Sequence, residues 1–169
     1  MLRVGHRIER DKRVTMHVFL TARALSASGA IYSGQKDGDL ERRFQAIVSE
    51  WGGPFEVKYE ESWKKVIKEW KKRGMVCHLT MYGINVDDCL DKIRKNKYIL
   101  VVVGSQKVPG EIFRLADFNI AIGNQPHSET AALAIFLDRL FEGKGLKREF
   151  EDAKMKVVPQ EKGKKVVYR

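Results

Sequence analysis

Only two cysteines occur among the 169 residues, which excludes a disulfide-stapled scaffold. Long apolar runs are missing too. The longest, residues 98–103 and 131–137, fall far short of the roughly 18 residues a membrane-spanning helix needs. The first residues hold no apolar segment. They carry Arg3, Arg7, Glu9, Arg10, Asp11, Lys12 and Arg13 instead, so a secretory signal is not expected and a cytoplasmic location is. No Gly-x-Gly-x-x-Gly follows a strand-like run, so a dinucleotide fold lacks its fingerprint. A phosphate-loop Gly-Lys-Ser/Thr and a Gly-x-Ser-x-Gly nucleophile turn are also missing, which argues against a nucleotide triphosphatase and an α/β-hydrolase. His6, His17, His78 and His127 are too scattered for a metal motif. Cys77 and His78 are adjacent on a strand and point to opposite faces, so no metal is expected. Both Cys77 and Cys89 read as small buried apolar residues.

What the sequence does hold is 43% hydrophobic and 32% charged residues, with the apolar positions in regular runs. That excludes disorder as the main state and gives one domain with a real core. Lys and Arg number 32 against 22 Asp and Glu, a net charge of +10. The excess is uneven. Residues 1–23 hold six basic against two acidic side chains, residues 62–73 six against one, and residues 141–169 nine against five. Residues 99–140 hold three against four. A basic surface of this kind favours a polyanionic partner such as nucleic acid, although the 62–73 run by itself reads as a solvated helix face.

Strand-like and helix-like segments alternate. Strands are expected at residues 2–5, 30–33, 55–59, 75–81, 98–103 and 118–122. Helices are expected at 14–27, 40–51, 63–73, 86–96, 109–116 and 128–140. Repeated β-α units predict an α/β fold: a parallel sheet with helices on both faces. Ser62, Asn85 and Ser128 stand where helix caps belong. The helix at 128–140 is apolar almost all round and must be covered on more than one side. After Gly145 the pattern changes. Residues 155–158 and 165–168 flank Gln160-Glu161-Lys162-Gly163 and predict a charged β-hairpin, so residues 1–145 form the main domain and 146–169 a basic C-terminal extension.

Ligands of open parallel sheets bind at the carboxyl ends of the strands. Three such ends here are glycine-bearing and nearly free of charge: Leu79-Thr80-Met81-Tyr82-Gly83, Gly104-Ser105-Gln106-Lys107-Val108-Pro109-Gly110, and Gly123-Asn124-Gln125-Pro126-His127-Ser128. Glycine permits close approach of backbone to a ligand. Together the three turns can offer N–H and C=O groups to a neutral heterocycle such as adenine.

The second of these turns, and the stretch from Ile122 to Ala134 that contains the third, resemble the last two motifs of the SPOUT methyltransferases. The N-terminal Arg-Val-Gly-His-Arg-x-x-Arg-Asp-x-Arg-Val-Thr-x-His-Val-x-Leu-Thr-Ala-Arg-Ala is more specific. It resembles the archaeal tRNA (cytidine-56) 2′-O-methyltransferases, a likeness that extends over essentially the whole chain. The resemblance implies a C-terminal trefoil knot, an obligate homodimer, tRNA as substrate and S-adenosyl-L-methionine as methyl donor. It implies cofactor contacts from Leu79, Thr80, Tyr82 and Gly83 in the first turn. The second turn would contribute Gly104, Ser105, Gln106, Lys107 and Val108. The third would contribute Ile122, Gly123, Asn124, Gln125, Pro126, His127, Ser128 and Glu129. Gln106 stands where relatives often carry Glu. Arg23 matches the catalytic arginine of the 2′-O-methylating enzymes, and His17 stands six residues earlier where many relatives carry Asn. Arg7, Arg10, Arg13 and His17 are the expected RNA contacts. Two other readings are a SPOUT enzyme acting on a different RNA and a non-catalytic RNA-binding domain. The second leaves the three uncharged turns unexplained.

Overall fold

The alternation of apolar stripes and turn residues folds as the β-α pattern predicts. The computed structural model describes residues 1–105 and 107–169. In chain order the elements are β1 (Leu2–His6), α1 (Ile8–Ala24), β2 (Gly29–Gly34), α2 (Gly38–Trp51), β3 (Glu56–Tyr59) and α3 (Trp63–Lys71). They continue with β4 (Met75–Asn85), α4 (Val86–Arg94), β5 (Ile99–Gly104), α5 (Gly110–Leu115), β6 (Phe118–Ala121) and α6 (Glu129–Leu140). A 3-10 turn at Lys144–Lys147 leads to β7 (Met155–Val158) and β8 (Lys165–Tyr168).

Six strands form one parallel sheet in the order β3-β2-β1-β5-β4-β6. The continuous apolar run of β5 lies near its centre, and alternate residues serve two cores. Leu100 and Val102 pack with Leu2, Val4 and Val76 beneath Val66 and Ile67 of α3 and Ile112 of α5. Val101 and Val103 pack on the other face with Cys77, Leu79 and Ile120, under α1, α2, α4 and α6. Cys77 and Cys89 are both buried, and burial pushes the Cys77 thiol up to about 12. The expected caps form: Ser62, Asn85 and Ser128 accept from the backbone N–H groups of Lys65, Asp87 and Ala131. β7 and β8 pair antiparallel as a separate hairpin. No helix among the described residues is long and apolar enough to cross a membrane.

Two expectations need correction. Helix α1 covers Ile8–Ala24, not 14–27. Its buried face is Asp11, Thr15, Val18, Phe19, Ala22 and Arg23, while Val14 is 41% exposed. The apolar stripe hid a helix start made of charged residues. Strand β4 does not stop at residue 81. Leu79 and Ile84 both stand opposite Ile120, so residues 80–83 loop out of the ladder and the strand then resumes to Asn85.

Candidate methyl-donor site

All strands of a parallel sheet end on one edge, so the carboxyl ends of β5, β4 and β6 are neighbours in space. Specific contacts draw their turns together. Gly83 closes the excursion from β4 directly against β6, where a Cβ would lie 2.4 Å from Asn119 and Ile120 backbone atoms. Asn124, from the turn after β6, donates its side-chain N–H to the carbonyls of Met81 and Gly83 at 2.7 and 3.1 Å. The first and third turns are thereby joined.

The second turn is tied in by Arg3. This residue is 1% exposed. Its guanidinium donates to the Gly104 carbonyl and pairs with Glu129 Oε2 at 2.6 Å. Glu129 opens α6 at the end of the third turn, and partial burial holds its carboxyl above the ordinary carboxylate range against the pull of Arg3. Gly104 is itself required, since a Cβ there would meet Val108 Cγ2 at 2.0 Å. Sequence reading grouped Arg3 with the basic N-terminal residues. The signal that it is different was a lone charge between Leu2 and Val4 in a strand buried on both faces.

A second missed element is the His78–Asn119 pair. His78 is fully buried just before the first turn. Asn119 uses its amide nitrogen on the Phe113 carbonyl at 2.8 Å, so its oxygen accepts from His78 Nδ1–H at 2.9 Å. Burial lowers the imidazole pKa and leaves the ring neutral. The chain Phe113-Asn119-His78 fixes α5, β6 and β4 relative to one another beneath the turns.

Around this edge, Tyr82 and Asn124 to Ser128 are exposed, and a Cβ at Gly123 would meet no atom within 4 Å. Ser128 caps α6. Ser105 lies against β1, its N–H donating to the Val4 carbonyl at 3.1 Å, and Lys107 is exposed. Gln106 lies outside the described residues. Open space beside Gly123 and turns almost without charge fit a neutral heterocycle. Among the described residues, no group of three His, Cys, Asp or Glu side chains could hold a metal.

The other predicted residues lie on α1 or, for Arg7, just before its first residue. Arg10, Arg13 and His17 are exposed at helical spacing, a stripe that starts at the same edge as the turns. Arg7 forms a two-toothed pair with Asp11, at 2.7 and 3.0 Å, and this pairing holds the Asp11 carboxyl below its usual range. Arg23 is elsewhere. α1 leaves the carboxyl edge and runs back along 17 residues, about 25 Å, so Arg23 sits at the opposite edge. There its guanidinium donates to the carbonyls of Trp51 and Gly52 and lies 4.0 Å from the Phe150 ring centre. One chain therefore does not bring Arg23 to its own turns.

Comparison with known proteins gives a consistent picture. A family model described as tRNA ribose 2′-O-methyltransferase, aTrm56, matches residues 51–167. A Thermococcus kodakarensis protein named tRNA (cytidine(56)-2′-O)-methyltransferase is 54% identical, over 99% of this chain and 95% of its own length. A Methanopyrus kandleri protein of the same name is 56% identical over 98% and 94%. Among solved structures, the Aquifex (A. aeolicus) TrmH/SpoU tRNA modifying enzyme superposes with a TM-score of 0.62 at 16% identity, covering 86% of this chain and 75% of that one. The SpoU methyltransferase AviRb from Streptomyces viridochromogenes, in complex with AdoMet, gives 0.60 at 13%. This chain spans 57% of the Streptomyces protein's length, and 85% of this chain is covered. At these identities the two structures speak for the fold alone, which is that of the SPOUT methyltransferases. Identity above half, along nearly the full length of its relatives, carries the rest: the chain belongs to the tRNA ribose 2′-O-methyltransferase family, aTrm56.

Proposed function

We propose that this protein transfers a methyl group from S-adenosyl-L-methionine to the 2′-hydroxyl of cytidine 56 in tRNA, working as a cytoplasmic homodimer. The observation that carries this reading is the convergence of three glycine-bearing turns nearly free of charge, joined by Asn124 and Arg3. When bound there, the cofactor supplies an activated methyl group on a sulfonium for in-line displacement. Backbone groups of the three turns orient it. Fixing that geometry is the protein's main contribution to rate.

A ribose hydroxyl is a weak nucleophile, so negative charge building on its oxygen must be stabilised. Arg23 is the proposed group. Its guanidinium stays protonated at any physiological pH and cannot act as an ordinary base. It grips the adjacent phosphate and stabilises the developing alkoxide. Its position at the far edge supports action across the dimer, one protomer's Arg23 serving the other's turns. The exposed Ile135 of α6 and Val14 of α1, 42% and 41% accessible, support a partner chain on that face. Arg10, Arg13 and His17 follow the RNA backbone, joined by Arg7 once its fork leaves Asp11. We place the trefoil knot in the segment that crosses β4 between β5 and β6, and treat residues 146–169 as an extension to the domain of residues 1–145.

The test is incubation with unmodified archaeal tRNA and methyl-labelled cofactor, followed by mapping. Label on the ribose of nucleotide 56 is the expected result. Label on another nucleotide, or cofactor binding without any transfer, would overturn the target or the activity respectively.

A further inference from the structure

A cleft also opens away from the turns. A cavity of about 580 Å³ opens at the opposite edge of the sheet, between the start of β5 and the end of α6. Its floor is apolar, with Ile31, Ile99 and Leu137 among its lining residues, and its rim carries Tyr98, Lys97 and Arg94. A second cleft of about 500 Å³ runs along α3. The two share Ile31 and Trp70, so they form one groove that bends round the edge with Trp70 at its waist.

Its chemistry is particular. Lys97 lies 5.4 Å from the Tyr98 ring centre and Arg73 lies 4.6 Å from that of Trp70. Tyr98 is 47% exposed. Of the lining acids, Glu56, Glu69 and Glu142 are each paired with a lysine and Glu60 is exposed on the rim. Lys65 acts on Glu69 at longer range, whereas Arg73 and Lys97 form no ion pair with an acid among the described residues. The Trp70 indole N–H is buried without an acceptor. Aromatic faces beside unneutralised cations, over an apolar floor, are what an unstacked nucleotide requires: a platform for the base and charge for its phosphate. The basic run 62–73, which the methyl-donor site does not use, supplies one wall.

We infer that this groove is a second RNA-contact site, which holds an unstacked nucleotide of the substrate RNA away from the reacting ribose. The inference rests on the proposed function, since that reading makes RNA the substrate. A hydroxyl inside a folded RNA loop is reached by unstacking its neighbours, which costs free energy. A site that binds the displaced nucleotide offsets that cost.

The experiment is steady-state methylation of a tRNA transcript by the full chain, comparing wild type with Tyr98→Ala, Tyr98→Phe and Lys97→Glu. Calorimetry with S-adenosyl-L-methionine and sedimentation accompany each variant. Tyr98→Ala and Lys97→Glu should raise KM for tRNA about tenfold, the order expected for loss of one stacked base. Their kcat and cofactor affinity should stay within twofold. Tyr98→Phe should keep wild-type KM, because the ring stacks and the hydroxyl does not. Wild-type KM in both Tyr98→Ala and Lys97→Glu would overturn the groove while leaving the activity intact. A change in oligomeric state in Tyr98→Ala would also overturn it, by putting a second copy of the chain there. A wild-type protein that binds the cofactor but neither binds nor methylates tRNA would sink the proposed function and this inference with it.

Discussion

Arg3 and Glu129, 126 positions apart in sequence, meet at 2.6 Å behind the turns. The same guanidinium holds the Gly104 carbonyl, so one buried cation sets the spacing between the second and third turns. Removing one member of a buried pair strands the other, at roughly 3–5 kcal/mol when both are fully enclosed. Glu129 is 30% exposed, so a smaller loss is expected: Arg3→Met should destabilise the fold by about 2 kcal/mol and weaken cofactor binding at least tenfold. Glu129→Gln keeps the Arg3–Gly104 bond and should lose less of both. Thermal melts and calorimetry decide. Unchanged cofactor affinity in Arg3→Met would reject the spacing role.

Gly104 offers a double-variant test. Its absent Cβ would collide with one methyl of Val108, a side-chain atom and not backbone. Gly104→Ala should therefore cost about 1–3 kcal/mol by overpacking, and adding Val108→Ala should recover most of it. At Gly83 the obstacle is the backbone of Asn119 and Ile120. Gly83→Ala should break the junction of β4 and β6, abolish cofactor binding, and find no side-chain rescue.

For Arg23 stability and turnover must be read separately. Its hydrogen bonds to Trp51 and Gly52 carbonyls cover the end of α2, so Arg23→Ala should lower the melting temperature by the equivalent of about 1–2 kcal/mol. Turnover should fall far more, with cofactor affinity retained, and Lys should rescue poorly because it lacks the planar fork. Mixed dimers of Arg23→Ala with a turn-deficient Gly83→Ala chain should regain activity, since one composite site would be intact. Mixtures as dead as their parents would reject transfer across the dimer.

Acid should unfold the protein through its histidines. His6 and His78 are fully buried, and burial holds both below the ordinary imidazole value of 6.5. Between the folded pKa and 6.5 the unfolded chain binds more protons, so the contribution of these two imidazoles to stability falls as pH drops below about 6.5 and is level above it. Each imidazole contributes at most about 1.4 kcal/mol per pH unit. His78→Gln should flatten the slope of melting temperature against pH over that window. An unaltered slope would show that His78 does not titrate with unfolding.

Salt separates the surface arginines from structural ones. Phosphate contacts make affinity fall with ionic strength, by close to one unit of log-log slope per contact. Arg13→Ala should reduce that slope for tRNA by about one and leave cofactor affinity alone. An unchanged slope would remove Arg13 from the RNA surface.

The sheet, the hairpin and the three turns were legible because their signals are local: continuous apolar strands, glycine where backbones crowd, caps at Ser62, Asn85 and Ser128. What stayed hidden depends on partners far away in sequence. Arg3 reads as one more basic residue until β5 and α6 are folded beside it. Asn119 reads as a polar interruption in a strand until Phe113 and His78 claim its two ends. The first turns of α1 are charged, with Glu9, Arg10 and Arg13 facing solvent and Asp11 paired with Arg7, so periodicity placed the helix start six residues late. The excursion at residues 80–83 is invisible in β4 alone, since only the pairing with β6 reveals it.

The C-terminal tail has a role beyond adding charge. Phe150 lies over the Arg23 guanidinium, Asp152 accepts from the Gly53 N–H at 2.9 Å, and Lys154 pairs with Glu50 at 2.9 Å. The tail is thus buttoned onto the carboxyl end of α2, where it sheathes the arginine. A chain shortened to residue 149 would keep its sheet and its turns but lose that sheath, leaving the guanidinium on its carbonyl bonds alone, and the defect would surface as slow methylation by a protein that still loads its cofactor.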